Sequence, residues 1–149
     1  MNDAGGARDY EGVDSLIRLL ASHDPAIRND AALELRELGD AAAVGPLLTA
    51  AEKPANANDR GTLIYALQTL DCSSHFARLF DLALTGSYEV QCHALSILEN
   101  QRMQATSLEV ATAREKLEAY SPPGHVSEED AELLCDELRT ILRRLEEGG

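Results

Sequence analysis

One apolar ladder recurs three times along the chain at almost the same interval, and this repeat limits the possible folds more than any other feature. Ile27-Arg28-x-x-Ala31-Ala32-x-x-Leu35-x-x-Leu38 aligns with Asp59-Arg60-x-x-Leu63-Ile64-x-x-Leu67-x-x-Leu70, 32 residues further on. It aligns again, after another 31 residues, with Val90-Gln91-x-x-Ala94-Leu95-x-x-Leu98. A second family alternates with the first: Val13/Leu16/Ile17/Leu20, then Val44/Leu47/Leu48, then Phe76/Leu79/Phe80. Steps of three and four residues place each set on one face of a helix. Such a helix cannot bury its stripe alone, so two interleaved families at one period predict stacked helical hairpins.

The clearest copy is Asp24 to Gly39, DPAIRNDAALELRELG. Asp24 is an N-cap, Pro25 fits the first helical position, and Gly39 ends the helix where a left-handed residue is wanted. Ile27, Ala31, Leu35 and Leu38 are expected to form its buried face. A first helix is expected over Glu11–Ser22, after a loosely ordered, polar stretch at residues 1–10. Asp40 should cap a third helix over Ala41–Glu52, in which Pro46 calls for distortion or a later start. Lys53 to Asn58 is a loop by composition, followed by helices over Asp59–Leu70, from Ser73 or Ser74, and through Val90–Leu98. Ala105–Tyr120 should form a further helix. The break at Ser121-Pro122-Pro123-Gly124 precedes SEED, a capping-box-like start at Ser127, and an amphipathic final helix.

The pattern resembles HEAT repeats, in particular the short bacterial kind found in phycobilisome lyases. Asp24-Pro25-x-Ile27-Arg28, Ala31-Ala32, Leu35, Leu38-Gly39-Asp40, Ala43-Val44 and Leu47-Leu48 carry the resemblance. The second repeat keeps Arg60 but loses the Asp-Pro turn, and Gln91 replaces the arginine in the third. The resemblance implies an all-α superhelix of three to four hairpins over residues 11–149. Repeats are clear over 11–100, and 101–149 reads as a degenerate repeat with a capping helix. It also implies that the helix starting with the Ile-Arg pair lines a concave, partner-binding face. On that face the repeat would present Asp30/Thr62/His93, Leu33/Tyr65/Ser96 and Glu37/Thr69/Asn100. Tyr65 has two readings of equal weight, an interface anchor or a residue packed in the seam between repeats.

Composition narrows the function classes. Hydrophobic residues make up 44% of the chain but aromatics only 4%, so the core must be aliphatic. The net charge is −13, from 26 acidic and 13 basic residues, which disfavours nucleic acid or an anionic membrane as partner and suits a basic protein. The acidity also has a plain reading as a solubility device, and Glu128 to Glu137 as the solvated face of a terminal helix. Three widely spaced cysteines imply no disulfide framework, and no stretch has the length and apolarity of a membrane span. A cytoplasmic, reducing setting is the expectation.

Chemistry-bearing motifs are sparse. Cys72-x-x-His75 and Cys92-His93 contain zinc-ligand types, but neighbours on a helix diverge by about 100° and do not converge on one ion. No nucleophile–base pair or phosphate loop is recognisable. None of His23, His75, His93 and His125 is followed by Glu, as an iron-binding HEAT-type hydroxylase would require. The expected protein is therefore a non-catalytic binding module without metal or cofactor, an adaptor or inhibitor, with an immunity protein as the concrete version. The alternatives are a lyase-like subunit holding a chromophore, and an assembly module self-associating through Leu133/Leu138/Ile141/Leu145.

Overall fold

The computed structural model describes residues 5–148, with side chains described from residue 12 onward. Among the described residues the regular elements are all helical. They are α1 (Gly5–Leu19), α2 (Pro25–Leu38), α3 (Val44–Glu52), α4 (Gly61–Leu67), α5 (Phe76–Thr85), α6 (Tyr88–Asn100), α7 (Ser107–Glu118) and α8 (Glu128–Gly148). Short 3-10 turns occupy Ala41–Ala43 and Pro54–Asn56. The stretch read as one repeat domain comprises two compact units, Met1–Asp71 and Cys72–Gly149. In the first, α1 pairs with α2, α3 pairs with α4, and α2 lies beside α4. In the second, α5 pairs with α6 and α7 with α8, while α5 lies beside α7 and α6 beside α8. The fold is thus of the α-α solenoid class, and in the stretch expected to hold a degenerate repeat and a capping helix, α7 and α8 pair as a fourth hairpin.

Local sequence accounts for most boundaries. The Asp24 carboxylate accepts from the Ala26 N–H at 2.9 Å, and Gly39 closes α2 at φ 70° with its N–H on the Leu35 carbonyl. Asp40 caps in the same way, through Ala42 N–H at 2.9 Å, but the turn that follows is 3-10. The α-helix begins only at Val44. Pro46 then falls in the first turn, where a missing N–H leaves no bond unmade. At the other end, α1 extends upstream to Gly5 and stops at Leu19; residues 1–4 of the stretch expected to be loose lie outside the described residues. His75, with no side-chain cap, precedes α5 in place of Ser73 or Ser74. Helix α7 is closed by a full capping box, Thr106 Oγ1 accepting from Glu109 N–H and Glu109 accepting from Thr106 N–H. Ser127 accepts from Asp130 N–H at 3.1 Å as SEED suggested.

The buried stripe of α2 differs from the expected one. Ile27 and Leu38 are each 41% exposed, whereas Ala31, Ala32 and Leu35 are buried and Arg28 is only 3% exposed. The helix is rotated so that Leu35 centres the stripe and the arginine's aliphatic stem joins it. The guanidinium head donates from NH1 to the Ser22 carbonyl at 2.8 Å, at the turn that ends α1. Arg60, its repeat equivalent, donates to the Ala51 carbonyl in the last turn of α3 at 3.3 Å. In both repeats the arginine therefore satisfies carbonyls at the C-terminus of the preceding helix, where the helix dipole also favours a cation. The loop at Lys53–Asn58 adds to this, because buried Asn56 donates from Nδ2 to the Ala50 carbonyl at 2.8 Å.

In the second unit Phe76 and Phe80 are fully buried, with ring centroids 5.6 Å apart, as are Leu79, Ile97, Leu138 and Leu142. Lys116–Asp81 at 2.9 Å ties α7 to α5, and Arg114–Glu146 at 2.8 Å ties α7 to α8. The self-association face expected on α8 is not present as a surface. Leu138 and Ile141 are buried, Leu145 is half-buried, and Leu133 is the exposed member.

Candidate functional site

Six of the nine expected contact residues come together in the first unit. Asp30, Leu33 and Glu37 are exposed on α2, each about one turn from the next. Thr62 and Tyr65 are half-buried on α4, and Thr69 is exposed in the turns that follow it. Helices α2 and α4 lie side by side across one seam. Arg36 closes that seam: its guanidinium sits 4.2 Å from the Tyr65 ring centroid, and its NH1 donates to the Tyr65 carbonyl at 3.1 Å. A cation over an aromatic face, fixed also by a hydrogen bond, holds both side chains in one arrangement. Tyr65 is thus held against Arg36 while staying half-exposed, and Asp30, Glu34 and Glu37 are exposed along the neighbouring helix.

The remaining three residues lie on α6 in the second unit. His93 and Ser96 are half-buried and Asn100 is exposed. His93 Nε2 stands 3.7 Å from Glu89, one turn earlier, an ion pair when the imidazole is protonated. Asn100 donates from Nδ2 to the Ser96 carbonyl at 2.8 Å and is engaged with its own helix. Tyr88, Glu89, Cys92 and Glu99 are also exposed on α6. Periodicity alone did not single these out, because which flank of α6 is open depends on where α8 packs.

A shallow groove of about 390 Å³ runs between α1 and α3. Ile17, Leu20, Ala21, Gly45, Pro46 and Ala50 line it, with Thr49 and Lys53 at its polar positions. It has no aromatic wall of the sort that holds a flat chromophore. Cys72 is buried, and its N–H bonds Gln101 Oε1 at 2.8 Å, while Cys92 is exposed. Among the described residues no three His, Cys, Asp or Glu side chains are grouped to hold a metal ion. No helix among them is long and apolar enough to cross a membrane.

These features, paired helices, arginines anchoring the preceding helix in the first two repeats and an aliphatic core, define a helical-repeat protein. Residues 3–68, somewhat under half of the chain, match the family model of HEAT repeats. HEAT repeats commonly serve as protein-interaction modules. No curated protein and no solved structure matches the chain.

Proposed function

We propose that this protein is a non-catalytic module that binds another protein through the outward face of α2 and α4. The observation that carries the reading is the Arg36–Tyr65 stack, which holds an aromatic ring rigid beside exposed Leu33 and the carboxylates of Asp30, Glu34 and Glu37. A fixed aromatic next to an accessible aliphatic is the composition of an interface anchor, and its ordering cost is met before binding. The surrounding acids favour a partner with basic side chains there, and an acidic inhibitor or adaptor is the role that fits.

A photo-crosslinking residue at Leu33 tests this. It should capture a partner that the Asp30→Lys/Glu37→Lys double variant no longer captures, while a crosslinker at Thr49, in the α1–α3 groove, captures nothing. Capture unchanged by the charge reversal removes this face as the site. The association rate should also fall with added salt, since exposed charges steer encounter and are screened beyond about 10 Å at 0.1 M.

A further inference from the structure

The first hairpin, α1 with α2, turns one flank toward the second hairpin and one away from it. On α2 the inward flank is marked by Arg36, whose guanidinium lies 4.2 Å from the Tyr65 ring centroid on α4. At about 100° per residue, Ile27, Glu34 and Leu38 fall about 160–180° around the helix from Arg36. They therefore form one line on the flank away from α4. On α1, Ile17 lines the groove against α3. Leu19, two residues on, lies about 160° from Ile17 and so on the flank away from α3.

This outer edge is aliphatic except at one position. Leu19 is 44% exposed, and Ile27 and Leu38 are each 41% exposed. Their counterparts in later copies are covered: Leu19 aligns with buried Ala50 and Leu82, Leu38 with buried Leu70, and Ile27 with buried Val90 of the third copy. The exception is Glu34. It aligns with Ala66 and Ile97, which are 0% and 2% exposed. Two copies of the repeat thus carry a buried apolar residue where the first carries an exposed carboxylate.

We propose that this edge fits the same edge of a second copy of the chain, and that Glu34 is the residue that keeps the two apart. The edge continues the stacking interface already present in the chain. Where one hairpin adjoins another, as α2 lies beside α4, the aligned positions Ala66 and Leu70 are buried. The edge is also its own complement. Across a twofold axis two α2 helices run antiparallel, so that Ile27 of each copy faces Leu38 of the other. In that register Glu34 lies opposite Ala31, and the two Glu34 carboxylates come within about one turn of each other. Closing the contact would strip water from two like charges among aliphatic side chains, which costs more than burying the exposed leucines returns. In the single chain the same carboxylate stays solvated, so it blocks the open end of the stack without weakening the hairpin.

Sedimentation equilibrium on the intact chain tests this. The unmodified protein should be monomeric. Glu34→Ile, which installs the residue of the third copy, should strengthen self-association by about a hundredfold or more. Glu34→Ala, the residue of the second copy, should act in the same direction, and it serves if isoleucine disturbs α2. Leu38→Glu added to either variant should restore the monomer. Glu115→Ile makes the same exchange at an exposed position of α7 and should leave the protein monomeric. Four outcomes overturn the proposal: a dimer of the unmodified protein, both Glu34 variants folded yet monomeric, association that survives Leu38→Glu, or equal association of Glu115→Ile. Circular dichroism establishes that each variant is folded. The readout is self-association alone, so its failure leaves the α2–α4 face to the crosslinking test at Leu33.

Discussion

A buried guanidinium needs an acceptor for its donors, and at Arg28 that acceptor is the end of the preceding helix. Arg28 is 3% exposed, its head bonds the Ser22 carbonyl, and its Nε has no acceptor among the described residues. Arg28→Ala therefore leaves a carbonyl unmet and a cavity along the lost stem, at an expected cost of about 2–4 kcal/mol in urea unfolding. Arg28→Lys should recover only part of that, because an ammonium cannot reproduce the planar fork. A residue with no side chain at all is equally constrained. A Cβ added at Gly86 would lie 2.7 Å from the Leu82 carbonyl oxygen and press on Val90. Gly86→Ala should thus destabilise by about 1–3 kcal/mol, measured the same way, since both neighbours are held by α5 and α6.

At the scale of helices, what the sequence discloses depends on whether a residue's role is local. Asp24, Pro25 and Gly39 act within their own turn, and their functions in α2 could be read directly from residue type. The apolar ladder located α2, but its face was set by packing: Arg28 counts as polar in any periodicity, yet lies inside, while Ile27 and Leu38 do not. Asn56 was hidden for a similar reason, because a loop-like composition does not reveal that its amide caps α3 from across a turn. The interaction residues follow the same rule. Tyr65 was visible as the one aromatic on its face, but its Arg36 partner lies on another helix, and the partial burial of Glu137 depends on the packing of α8, which falls outside the clear period. That burial, with the charge of Glu99, predicts a pH effect. Glu137 is harder to ionise in the fold than in the unfolded chain, so the stability linked to its protonated form is complete in acid and is lost as pH rises through its raised value. Glu137→Gln should raise the melting temperature at neutral pH and leave it unchanged in acid. The gain is a fraction of a kcal/mol, because the carboxylate still meets solvent.

For the whole molecule the dominant electrostatic fact is a net charge of −13, spread nearly evenly over the two units. Repulsion of this kind opposes any compact state and weakens as salt shortens the screening length from about 30 Å at 0.01 M to 3 Å at 1 M. The cross-helix pairs Lys116–Asp81 and Arg114–Glu146 act in the opposite sense, because salt weakens them too. Both pairs are half-exposed, and each such pair contributes at most about 1 kcal/mol. Unbalanced acids outnumber them, so self-repulsion sets the sign: the melting temperature should rise with added sodium chloride. A gain of 1 kcal/mol corresponds to roughly 2–4 °C for a chain near this size. Chloride is the appropriate salt, since sulfate would strengthen apolar burial and give a rise for a different reason. Differential scanning calorimetry across a chloride series decides the matter. A falling melting temperature would mean that the few cross-helix pairs, rather than the net charge, govern the electrostatics of the fold. A rise would mean that the acidic surface is held at the expense of stability.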